Sequence, residues 1–213
     1  MSDGKAALVL TGGGARAAYQ VGVLLAVREL WGRRPGNPFP ILCGTSAGAI
    51  NAVALAVFCR DFSAGVRKVA WIWRNFHVHQ VYRSNAAALL GTGLRFGSAL
   101  MLGWLVRQTP RALLDNTPLA ELLLRTLDLR AIDRGIQDGL LHAVSVTASG
   151  YSSGESLTFF QAMPEVEPWQ RAQRLGVPTE LSIRHLMASS AIPFVFPAMK
   201  INREYFGDGS MRQ

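Results

Sequence analysis

A chain of 213 residues with 49% hydrophobic and 17% charged side chains has enough apolar material for one folded core and too little charge for a disordered segment. Two cysteines, Cys43 and Cys59, exclude a disulfide framework, and no Cys/His spacing resembles a zinc site, so buried reduced thiols and no metal are expected. The net charge of +8 is unevenly spread: eight arginines and lysines between Arg60 and Arg111 are opposed by Asp61 alone.

The opening "MSDGKAALVLTGGG" carries an acid and a glycine where a secretion signal would be basic. Its apolar run is too short for a signal core, so a cytoplasmic protein without a signal peptide is expected. Lys5 to Thr11 reads as a buried strand ending in Gly12-Gly13-Gly14, and "ARAAYQVGVLLAVREL" as a helix. The loop "WGRRPGNPFP" leads to a second short strand, "FPILCG". The following helix, "AGAINAVALAVF", is nearly all apolar, the pattern of a helix buried in a larger core. Strand, helix, strand and helix within 60 residues point to a parallel sheet flanked by helices.

From Phe62 to Arg83 the pattern is helical, with Val66, Val69, Ala70 and Trp73 on one face. Trp71, Trp73 and Trp104 share the basic stretch of residues 60–111. Basic side chains with interfacial aromatics suit an anionic membrane surface, a peripheral attachment. Nucleic acid and a merely solvated basic face are the competing readings, and no nucleic acid is expected. Residues 85–106 are apolar but contain four glycines and a central Arg95, which favours a flap lying on lipid or over a site above a membrane span. Thr117, Pro118 and Glu121 mark a helix start. "LLHAVSVTASG" and "ESLTFF" read as strands around the turn "YSSG", "SIRHLMASSA" as a short helix, and "FVFPAMKINREYFGDGS" as strand and turn.

Three patterns carry chemistry. Gly44-Thr45-Ser46-Ala47-Gly48 is a G-x-S-x-G stretch between an apolar strand and an apolar helix. A serine on such a turn takes a strained backbone, and only very small residues fit two positions either side of it. Ser46 is therefore the candidate nucleophile, with Gly44 and Gly48 supporting it. Gly12-Gly13-Gly14-Ala15-Arg16 follows the first strand and can offer its N–H groups to a developing oxyanion. The same loop also fits a dinucleotide fingerprint, Gly12-x-Gly14-x-x-Ala17, but the second strand then lacks the acid that reading needs. For the proton acceptor, an α/β-hydrolase would use a histidine, and His77, His79, His142 and His185 are available, His185 the most plausible of them. The better partner is Asp208, an acid between glycines Gly207 and Gly209 after a short strand.

With these residues in place, the chain resembles the patatin-like phospholipase family. The family's glycine-rich loop is similar to Gly12–Ala17, its serine motif to Gly44–Gly48, and its aspartate motif to Asp208-Gly209-Ser210, in the same order. "ASSAIPFVFPA", Ala188 to Ala198, resembles the segment preceding the family aspartate. Ala17 and Ser210 stand where the family carries glycine and glycine or alanine.

The resemblance implies a three-layer α/β/α fold with a mainly parallel central sheet, one domain over residues 1–213 whose C-terminal part is expected to be missing. It also implies a lipid acyl hydrolase of phospholipase or esterase type, without cofactor or metal, whose substrate is a lipid or other acyl ester. Ser46 and Asp208 would form a dyad, Gly12, Gly13, Gly14 and Ala15 the oxyanion hole, and Arg16 would orient the loop or meet a lipid head group. The alternative is a catalytically silent membrane-binding or scaffold module of the same fold.

Overall fold

The computed structural model describes residues 4–75 and 114–212. Among these, an eight-stranded sheet is combined with six α-helices, a mixed α/β architecture consistent with the expected α/β/α layering. Strands β1 (Ala7–Leu10), β2 (Ile41–Thr45) and β3 (Ala143–Gly150) run parallel. Beyond them the sheet changes character. β4 (Ser156–Ala162) is antiparallel to β3, β6 (Arg174–Pro178) parallel to β4, and β5 (Trp169–Arg171) closes that edge.

The last hairpin, β7 (Met199–Ile201) and β8 (Glu204–Asp208), turns at Asn202, whose φ of 54° is one that asparagine tolerates. It joins the sheet through β3. One edge of β3 serves two strands in succession. β2 pairs with it from Ala143 to Thr147, and β8 takes over from Ala148 to Gly150. Thr45 is thus opposite Thr147 while Asp208 is opposite Ala148, so the ends of β2 and β8 abut.

Helix α2 (Ala47–Val57) is buried at every position from Ala47 to Ala56, as its nearly all-apolar sequence leads one to expect. It packs on β1, β2 and β3. Leu42, Val144, Val146 and Ala148 supply the sheet's part of the core. α1 (Ala17–Trp31) and α2 both pack against α3 (Phe62–Arg74). In α3, Val66, Val69 and Ala70 point inward and Trp73 is half-buried, the face its sequence indicated. The remainder of the expected 62–83 helix and the apolar 85–106 segment lie outside the described residues. Further on are α4 (Thr117–Thr126), α5 (Arg130–Gln137) and α6 (Ile183–Ser189).

Two local expectations change. β1 is an edge strand rather than a buried one: Leu10 is buried, but Val9 is 67% exposed. A row of apolar residues cannot by itself distinguish a central strand from an edge strand with one open face. The start of α4 is held by Asp115, whose carboxylate accepts the Thr117 N–H at 2.9 Å, and not by Thr117 itself.

Leu42 lies at the centre of this packing and is wholly buried. Leu42→Ala should lower the unfolding free energy by about 2–5 kcal/mol, seen as a lower urea midpoint at unchanged slope.

Candidate active site

The strand-to-helix turn after β2 puts Ser46 at φ 54°, ψ −128°, a backbone that costs a non-glycine residue about 1–3 kcal/mol. The surroundings enforce it. A Cβ on Gly44 would collide with Ala49 and come within 2.6 Å of the Gly48 carbonyl oxygen. A Cβ on Gly48 would run into the carbonyls of Leu10 and Thr11 at the end of β1. The two glycines therefore let the first turn of α2 lie backbone-to-backbone against the sheet, and Ser46 is the residue at the apex.

Ser46 Oγ donates a hydrogen bond of 2.6 Å to Asp208 Oδ2. The other carboxylate oxygen, Oδ1, accepts the Ser210 N–H at 2.8 Å, and the Asp208 N–H donates to the Ala191 carbonyl at 2.8 Å. Ser46 and Asp208 are 4% and 5% exposed, so water has little access to the bond between them. Gly209 follows in a tight turn where a Cβ would strike the Thr147 carbonyl and Thr45. Tyr151 stands over Gly207, and burial, followed by the negative charge of Asp208, raises its phenol above the usual tyrosine range.

The glycine loop reaches the serine from the side of β1. A Cβ on Gly12 would be 3.1 Å from the Ser46 Cβ and would collide with Ser210 Oγ. Gly14, at φ 52°, begins a 3₁₀ turn with Ala15 and Arg16 that runs straight into α1. The first N–H groups of such a start have no carbonyl within the helix to bond, and they lie at its positive end. Arg16 is exposed at the rim.

A polar relay that the sequence reading missed holds the loop from behind. Gln20 Nε2 donates to the Thr11 carbonyl at 2.8 Å, and Gln20 Oε1 accepts from Asn51 Nδ2 at 3.1 Å. Asn51 Oδ1 in turn accepts the Trp73 indole N–H at 2.8 Å. The available signal was Asn51 itself, a fully buried amide in an otherwise apolar helix.

These three motifs meet at one point, and the profile of the patatin-like phospholipase family matches residues 8–213. The chain belongs to the patatin-like phospholipase family. It is 27% identical over 205 residues to a cGAMP-activated phospholipase from Pseudomonas aeruginosa (strain BWHPSA011 / Pa011). That alignment covers 96% of this chain and 52% of the relative, so the chain spans about half the relative's length.

In this patatin-like chain, neither His142 nor His185 hydrogen-bonds Ser46 or Asp208. His142 faces Glu165 at 3.6 Å, and His77 and His79 lie outside the described residues. His185 closes the start of α6: its Nδ1 accepts the Ser182 N–H at 2.9 Å, and its ring is 4.7 Å from that of Phe159. Where a dinucleotide-binding fold would present an acid after β2, Ser46 and Ala47 are found.

Cys43 and Cys59 are free thiols, and burial raises the second. No group of three or more metal-ligating side chains occurs among the described residues. Nor is any described helix long and apolar enough to cross a membrane. A cavity of about 540 Å³ between α5, β4 and β6 contains none of the motif residues. A cleft of about 470 Å³ between β1 and α1 does border Gly12 and Gly13.

Burial, and secondarily the charge of Arg184, lowers the pKa of His185 in the folded state. The unfolded chain therefore binds the proton more readily. The stability due to neutral His185 is complete above about pH 6.5 and lost as pH falls below it. The melting temperature should decline from about pH 6.5 towards 5, and His185→Gln, which can still accept the cap bond, should flatten that decline. An equal slope in both proteins would refute it.

Proposed function

We propose that the chain is a lipid acyl hydrolase in which Ser46 is the nucleophile and Asp208 the base. The observation that carries this reading is the 2.6 Å hydrogen bond from Ser46 Oγ to Asp208 Oδ2, both residues being largely buried. Ser46 Oγ attacks the ester carbonyl carbon as its proton passes to Asp208 Oδ2. The N–H groups of Gly12–Ala15 receive the negative oxygen of the tetrahedral intermediate. Collapse expels the alcohol, protonated by Asp208, and leaves an acyl-serine. Water, deprotonated by the same carboxylate, then attacks the acyl carbon, and a second collapse releases the fatty acid and restores Ser46.

An aspartate with an ordinary pKa near 4 is too weak a base to generate the alkoxide in advance. Proton transfer must accompany attack, and the oxyanion donors must carry much of the stabilisation. One such donor contributes roughly 10²–10³-fold in kcat. The loop is thus as important to the reaction as the base.

The lipid surface is approached, in this proposal, through the basic stretch of residues 60–111. What supports this is the outer face of α3, where Arg67 and Trp71 are exposed and the Lys68 ammonium lies 4.6 Å from the Trp71 ring centre. The Pseudomonas relative is described as cGAMP-activated, so turnover by this chain should be assayed with and without a cyclic dinucleotide.

A fluorophosphonate probe, followed by peptide mapping, tests the reading. Labelling is expected at Ser46 and is lost in Ser46→Ala. Asp208→Asn keeps the acceptor for the Ser210 N–H but removes the base, and ester turnover should fall by at least ~10³-fold. A folded chain that binds anionic vesicles yet neither labels nor turns over ester would instead be the silent membrane module.

A further inference from the structure

The segment "ASSAIP" lies between the serine and aspartate motifs without a role of its own in the reaction written above, yet it touches both. Ser189, at the last turn of α6, is fully buried. Its Oγ accepts the backbone N–H of Ser46 at 2.8 Å and donates its own proton to the Thr147 carbonyl at 2.6 Å. Two residues later, the Ala191 carbonyl accepts the Asp208 N–H. One short stretch therefore binds the backbone of both proposed catalytic residues to the strand that separates them in sequence.

We infer that Ser189 is a positioning residue, holding Ser46 in the strained turn at the distance from Asp208 that proton transfer requires. The inference rests on the serine-hydrolase reading of Ser46. A hydroxyl suits the task because it accepts and donates at once. Here the acceptor side fixes the nucleophile and the donor side fixes the hydroxyl to β3, at the residue where β2 gives way to β8. Ser189 also determines which donors remain for the oxyanion. The Ser46 N–H is already committed to Ser189, which leaves the substrate oxygen to the Gly12–Ala15 loop and the helix start.

The buried hydroxyl of Ser149 provides an internal comparison. It is on the same strand, two residues from Thr147, and has no hydrogen-bond partner among the described residues. Its removal should leave the reaction untouched.

The test compares fluorophosphonate labelling rates and steady-state ester hydrolysis for wild type, Ser189→Ala, Ser189→Cys and Ser149→Ala. All are measured well below their melting temperatures and normalised to the folded fraction. Misplacing a reacting atom by about an ångström can reduce rate roughly 100-fold, so Ser189→Ala should label about 10–100-fold more slowly. KM and the shape of the pH profile should not change, because neither the binding surface nor the base is altered. Ser189→Cys, a near-isostere with weaker bonds, should fall between the two and remains informative should Ser189→Ala not fold. Ser149→Ala should match wild type.

A Ser189 variant that melts earlier but labels and turns over like wild type once folded would reduce Ser189 to a structural residue and overturn the inference alone. Wild-type protein that fails to label at Ser46 would overturn both this inference and the reading beneath it.

Discussion

The site depends on one edge of β3 being shared end to end by two strands. β2 occupies the edge as far as Thr147 and β8 occupies it from Ala148. Residues 162 positions apart in the chain thereby become neighbours, because the last residue of β8 lies beside the place where β2 stops. Ladder register alone sets this meeting to within one residue, and a slip of one position would turn every side chain of the slipped strand to the opposite face. The core side chains on β2 and β3 resist such a slip, since Leu42, Val144 and Val146 would exchange the packed interior for the other face.

Given that register, the glycines follow from space rather than from flexibility. Gly44, Gly48, Gly12 and Gly209 each lie where an added Cβ would meet backbone or a short side chain. The strain at Ser46 persists because its neighbours are over-determined: α2 is buried along almost its whole length and cannot rotate to relieve the turn. Ser210, where the resemblance leads one to expect glycine or alanine, is accommodated without disturbing this. Its N–H holds Asp208 Oδ1, and its hydroxyl fills the space left by Gly12. The side chain adds a contact between the aspartate turn and the glycine loop.

Much of this was legible in the sequence because it was encoded locally. G-x-S-x-G, the glycine run and the Asp-Gly turn each describe steric demands within five or six residues, and the nearly all-apolar α2 declared its own burial. What was not legible depended on partners distant in sequence. The β5–β6 hairpin went unread because "WQRAQRLGVP" has little alternation and is mostly exposed, so its strands exist through pairing with β4. The openness of β1 follows from its place at the sheet edge, which four apolar residues do not reveal. Ser189 gave no signal at all: one serine in a run of small residues acquires meaning only when β3 places the Thr147 carbonyl and the Ser46 N–H on either side of it.

The same contrast separates the two halves of the proposed chemistry. The serine and the aspartate are held from the side of β3 and α6, the first by the buried Ser189 hydroxyl and the second by backbone bonds to Ala191 and Ser210. The oxyanion loop is held from the side of β1 and α1, where Gly12 is half-buried and Gly13 to Arg16 are exposed, and its main anchor is the relay Thr11–Gln20–Asn51–Trp73. Asn51 is the pivot of that relay. It sits five residues beyond Ser46, which caps the same buried helix, so α2 carries the proposed nucleophile at its start and the support of the loop shortly after. The far end of the relay is Trp73 on α3, two residues from the exposed Trp71. Three hydrogen bonds therefore join α3 to Thr11, the residue before the loop. In the proposed chemistry the serine and its base thus rest on β3 and α6, while the proposed oxyanion donors lie in the part of the site that is hydrogen-bonded to α3.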